Sequence, residues 1–141
     1  MTEIKRVRFA LCLLITCLFA GCQDSRIGLN GNVKVDGTPL TKGYIIFLPE
    51  SGTSGPTAGA DIVDGAYEIE PAKGVFEGSF KVEIKGWRDS QTVVEDSVTG
   101  ETFAEPEQFI PLKYKKESEL NVKISKDITV QDFDLELPES G

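Results

Sequence analysis

The chain has 141 residues, 15 lysines and arginines against 23 aspartates and glutamates, no histidine and three cysteines, for a net charge of −8. So acidic a balance repels phosphate backbones and argues against nucleic-acid binding. Without histidine there is no Ser-His-Asp or Cys-His machinery, no usual zinc site and no ordinary general base for neutral pH.

The first eight residues hold the charges Glu3, Lys5, Arg6 and Arg8, and Phe9 to Ala20 is an apolar run broken only by Thr16. Twelve residues fall short of the roughly 20 that a helix needs to span a bilayer, so the pattern is that of a secretion signal. Small residues Ala20 and Gly21 then precede Cys22. Leu18-Phe-Ala-Gly-Cys22 resembles the bacterial lipoprotein signal, in which the cysteine becomes the acylated N-terminus. The usual leucine sits one place early, leaving Phe19 at the −3 position. An ordinary signal peptide with a chance cysteine, or an uncleaved apolar anchor, are the competing readings. The lipoprotein resemblance implies a signal over 1–21, a lipidated Cys22, a tether over 22–28 and a folded domain over 29–138. Gln23 after the cysteine implies sorting to the outer membrane, on its periplasmic or surface face. Each buried methylene of an acyl chain contributes about 0.8 kcal/mol, so two or more chains hold where one does not. Cys12 and Cys17 leave with the leader, so the mature domain has no disulfide and no thiol pair for a metal. The leader holds Lys5, Arg6 and Arg8 against Glu3, which leaves 12 bases and 22 acids behind it.

In the domain, Val33 and Val35 alternate with Asn32 and Lys34, the period-2 signature of a half-buried strand. Asp36-Gly37 turns the chain, and Tyr44-Ile-Ile-Phe-Leu48, apolar on both faces, reads as a central strand closed by Pro49. Residues 50–57 form a loop. Ala58 to Asp64 ends in Asp64-Gly65, a strong hairpin signal, and Tyr67 and Ile69 point inward on its partner. Phe80, Val82 and Ile84 alternate with Lys81, Glu83 and Lys85, whose lysines are expected to face the glutamates of the preceding strand. From Gly86 to Ser118 no period is sustained. A loop that long is unusual unless it is functional or mobile, so an excursion is expected over about residues 88–108, with a return at Phe109 to Tyr114. Leu120, Val122 and Ile124 alternate in the next strand. Ile128 to Leu137 follows as the last, its inward set slipping from Ile128 and Val130 to Phe133, Leu135 and Leu137 as if at a bulge. No segment has a helical period.

About seven short strands separated by turns predict an all-β fold, a single antiparallel β-sandwich with Greek-key connections. Gly31-x-Val-x-x-Asp-Gly-x-Pro-Leu40, Gly43-Tyr-Ile-Ile-Phe47, Asp64-Gly-Ala-Tyr67 and Gly78-Ser-Phe-Lys-Val-Glu-Ile84 resemble the transthyretin-like or carboxypeptidase-regulatory-like modules, prealbumin-like relatives of the Ig-like sandwich. With Pro111, Tyr114, Ser118 and Leu120, the arrangement is similar to small planctomycete lipoproteins. These motifs are turns and core positions, so the resemblance implies a fold over most of residues 29–137 and no activity. One transthyretin-like relative hydrolyses 5-hydroxyisourate with histidines, which this chain lacks.

Chemistry-bearing residues are few. Carboxylate pairs for glycoside hydrolysis remain open among the acids, with no spacing that singles one out. Asp61, Asp64, Glu95 and Asp96 are sparse material for calcium. No cofactor or metal is expected, and the domain reads as a non-enzymatic interaction or structural module. Trp87, the only tryptophan, stands beside Arg88 at a strand end: buried it caps the core, the favoured reading, and exposed it stacks on a sugar or anchors a partner. Tyr114, Lys115 and Lys116, with Lys113, form a basic cluster that is either a solvated loop or a contact for an acidic partner. The expected partners are the membrane, through Cys22, and envelope proteins; the alternative is a carbohydrate or peptide held by residues 86–118.

Overall fold

The computed structural model describes residues 25–139, so the leader and Cys22 lie outside the described residues. Nine strands follow one another: β1 (Leu29–Val35), β2 (Thr38–Pro39), β3 (Lys42–Pro49), β4 (Ala58–Val63), β5 (Ala66–Ile69), β6 (Gly78–Glu95), β7 (Thr102–Gln108), β8 (Leu120–Ile124) and β9 (Phe133–Leu135). Single 3-10 turns stand at Pro71–Lys73 and Leu112–Tyr114. The fold is all-β. The strands form one open sheet in the order β2-β1-β5-β4-β3-β6-β7, with β8 added to β6 and β9 to β1. Every pairing between strands is antiparallel except β9 on β1, which is parallel.

Burial follows the alternation in the sequence. Ile45 and Phe47 of β3 and Phe80, Val82 and Ile84 of β6 are wholly enclosed, and strands β4 and β6 flank β3 as expected of a central strand. The Phe47 ring meets Tyr67 of β5 at 6.0 Å and Phe133 of β9 at 6.5 Å between centroids, both tilted. The Asp-Gly pairs make tight hairpin turns with both central residues at positive φ, 50° and 76° at Asp36-Gly37 and 51° and 84° at Asp64-Gly65. Aspartate tolerates that region and glycine occupies it at no steric cost, which is why this dipeptide stands there. Tyr67 is buried and its hydroxyl donates to the Gln131 carbonyl at 2.8 Å. Burial, and secondarily the charge of Asp132, push its phenol above the ordinary value.

Four expectations are corrected. Residues 26–28 belong to the folded body: Ile27 is buried and bridges Val75, and an Arg26 guanidinium nitrogen donates to the Ala72 carbonyl. The lysines of β6 do not face the glutamates of β5, because β6 lies between β3 and β8, with β3 and β4 intervening before β5. No bulged strand runs from Ile128 to Leu137. Ile128 and Val130 are 50% and 58% exposed on a crossing segment, and only Phe133–Leu135 is strand. The phase slip thus marks where the chain passes from edge to ladder. Finally, residues 88–108 are not a loop. β6 runs on for 18 residues, and its second half pairs with β7 from Trp87↔Gln108 to Glu95↔Thr102, with a bulge between Asp89 and Val93.

Candidate functional site

Strands β7 and β8 share one edge of β6, and β3 occupies the other only as far as Gly86. Beyond that point β6 and β7 continue as a two-stranded ribbon without a third strand among the described residues. At about 3.3 Å per residue, the stretch from residue 87 to 95 reaches roughly 25 Å from the body. Its apolar residues have nowhere to hide. Val93 is 63% exposed, Val94 38% and Phe103 52%, with Val94 and Phe103 directly paired and therefore on one face. The tip is a built turn. Asp96 accepts the amide N–H groups of Val98 at 2.7 Å and Thr99 at 2.9 Å, and Gly100 at φ 73° closes it. Those amides, Thr99's foremost, hold the Asp96 carboxyl below its ordinary value. This turn presents Val98 almost wholly to solvent.

At the ribbon's root lies a cleft of about 600 Å³ whose lining includes Trp87, Arg88, Phe109, Leu137, Lys42 and Asp36. Trp87 is out of phase with Phe80, Val82 and Ile84 along β6 and neither joins the core nor packs against it. The expectation that it caps the core is therefore corrected: it is half-buried on the cleft wall. Arg88 is exposed, its guanidinium 5.1 Å from the centre of the Phe109 ring and its Nε 3.2 Å from Glu107. The Arg–Phe contact orders the cation without removing it from solvent.

No protein-family model matches the chain, and neither a curated protein nor a solved structure is found to be similar to it.

Of the residues singled out in the sequence, Trp87 and Arg88 share the cleft. Lys115 is tied to the same end of the sheet, its Nζ donating to Gln108 Oε1 at 2.8 Å, opposite Trp87 in the ladder. Tyr114 is committed elsewhere. Its hydroxyl accepts the Glu136 amide at 3.1 Å and lies 3.3 Å from the Glu136 carbonyl, pinning the chain after β9, while its ring sits 4.7 Å from the Lys113 ammonium. Lys116 is exposed. Ser118, a buried hydroxyl, donates to the Val82 carbonyl and accepts the Leu120 amide. Tyr114, Ser118 and Leu120 of the Pro111-Tyr114-Ser118-Leu120 pattern thus fasten residues 110–120 to the body. Among the described residues, no group of three or more Asp, Glu, His or Cys could hold a metal ion, and no helix is long and apolar enough to cross a membrane. Sequence reasoning missed Phe109, Leu137 and Lys42 as cleft neighbours, since only the topology brings three distant segments together.

Proposed function

We propose that this chain is a lipid-anchored, non-enzymatic interaction module of the cell envelope, held through Cys22, with the ribbon and cleft as its interacting end. One observation carries the reading. β1 and β6 run in the same direction, alternating antiparallel steps through β5, β4 and β3. Both start at the end where Ile27 bridges Val75, so the ribbon projects from the end opposite the chain's entry, some 20 Å away along β1. An anchor at Cys22 therefore points the arm away from the lipid surface. Gln23 supports placement in the outer membrane, and the acidic surface supports protein partners over nucleic acid.

The fold we propose for the body is a Greek-key β-sandwich of transthyretin-like type. The ring contact of Phe47 with Phe133, on strands that do not pair, supports two layers closing over one core.

The anchor is tested by fractionation. Wild-type protein is expected in the membrane fraction with incorporated fatty acid, and Cys22→Ser is expected in the soluble fraction without label. A variant that still sediments with membranes would end the acyl-anchor reading.

A second reading, carbohydrate or peptide binding, is favoured by Trp87 on the cleft wall with Arg88 and Phe109. The sole tryptophan should emit at the long wavelengths of a part-hydrated indole. Soluble cell-wall glycan fragments should shift or quench it, and Trp87→Ala should lower the affinity by at least about tenfold if stacking contributes about 1.4 kcal/mol or more. Emission indifferent to glycan and to peptide sinks this reading.

A further inference from the structure

The ribbon's composition says what kind of partner it suits. Residues 88–108 carry six acids, Asp89, Glu95, Asp96, Glu101, Glu105 and Glu107, against a single base, Arg88, itself paired with Glu107. Interleaved with them stand Val93, Val94, Val98 and Phe103, each at least 38% exposed. Exposed apolar residues on so thin an element lack any core to join, and clusters of this kind mark contact surfaces. The charge then selects among possible occupants.

A lipid surface is the first candidate for an apolar hairpin tip, but anionic head groups repel a tip flanked by Glu95, Asp96 and Glu101. A second copy of the chain would bring a further five net negative charges against the same five. Paired strands lie about 4.8 Å apart, within the screening length of about 8 Å at physiological salt, so that repulsion is not screened away. A basic surface has neither obstacle.

We propose that the ribbon is a docking arm for a basic protein partner, which receives the Val94–Phe103 pair in an apolar pocket and faces the surrounding carboxylates with lysine and arginine. This rests on the reading of the ribbon end as the interacting end. It adds the partner's chemistry. The carboxylates steer encounter and reject acidic competitors, and the desolvated Val94–Phe103 pair supplies the holding energy. Asp96 has a separate part: by fixing the tip turn it keeps the ladder in register, so the pair is presented preformed.

The test places the photo-crosslinker benzoylphenylalanine at position 103 of the full-length protein in the cells that make it. The crosslinked segment of the captured partner is then sequenced. The expected result is a recurrent protein segment rich in lysine and arginine. Its yield should fall at least about threefold with Glu101→Gln and Glu105→Gln together, and hold with Glu68→Gln and Glu70→Gln, exposed on β5 and just after it. A captured segment that is neutral or acidic, or a yield indifferent to the ribbon pair, overturns the basic partner while leaving the ribbon as the interacting end. Capture of lipid alone, or only of further copies of this chain, overturns it as well. No crosslink from position 103, nor from the same crosslinker moved to position 94, overturns both this inference and the interaction-module reading beneath it.

Discussion

Replacing Phe80 with aspartate is expected to leave a chain with no cooperative thermal transition. Phe80 has no solvent exposure, and its strand position lies between Pro49 of β3 and Val122 of β8. Losing the ring alone costs about 3–5 kcal/mol. A carboxylate left there without a partner adds several more, or stays protonated at a comparable cost. Set against a total stability of about 5–15 kcal/mol for a domain of this size, the sum exhausts the fold. Circular dichroism during a thermal ramp reads the result. Phe103→Asp makes the same chemical change on the ribbon, where the side chain is 52% exposed, and should move stability by no more than about 0.5 kcal/mol. An unaltered melt for Phe80→Asp would mean that the inner face of β6 has been assigned the wrong way round.

The second large effect is expected from one methyl group. A Cβ on Gly31 would overlap the Gln131 carbonyl, which is backbone and has no rotamer to yield. Relief requires β1 and the crossing segment to part. That breaks the bonds from Asn30 N to Thr129 O at 3.1 Å and from Gln131 N to Asn30 O at 2.9 Å, and strains that from Tyr67 Oη to Gln131 O. Overpacking of about 1–3 kcal/mol and about 1 kcal/mol for each lost bond put Gly31→Ala at about 3–5 kcal/mol of destabilisation. It should appear as a lower urea midpoint, with proteolysis newly admitted near residues 126–131. A midpoint equal to the parent's would show that these two backbones are not in contact.

The parts of this fold legible from sequence are those where burial imposes a pattern. Ile45 and Phe47, Tyr67 and Ile69, and Phe80, Val82 and Ile84 sit on enclosed faces, and their alternation states it. Turn chemistry was as informative at Asp36-Gly37 and Asp64-Gly65. The ribbon left no such trace. With both faces in water, nothing requires Val93 and Val94 to differ, and the ladder from Trp87 to Glu95 is held by backbone groups and even takes in Pro106 opposite Asp89, next to the bulge. The Asp89–Val93 bulge then removes what alternation remained. Trp87 stands out in the sequence as the only tryptophan, but its surroundings do not. Phe109 and Leu137 reach the cleft through connections whose path depends on which strands become neighbours, and period-2 patterns do not encode adjacency. The same gap explains why β6 lysines were expected opposite β5 glutamates: consecutive strands pair often, and here two others come between.

The parallel pairing of β9 with β1 sets a timetable for the molecule. Val33 lies beside Phe133 and Val35 beside Leu135, so the ladder joins residues a hundred positions apart. Asp132 and Asp134 add bonds to the amides of Asn32 and Gly37, and Asp36 takes the amide of Leu137. Closing a loop of that length costs about 4 kcal/mol in chain entropy before any of these contacts form. A chain emerging N-terminus first therefore completes β3, β6 and β8 while β1 still has one flank bare. Acquisition of the native state waits on the segment that ends in Phe133–Leu135, and a nascent chain stays threadable until that segment has been made.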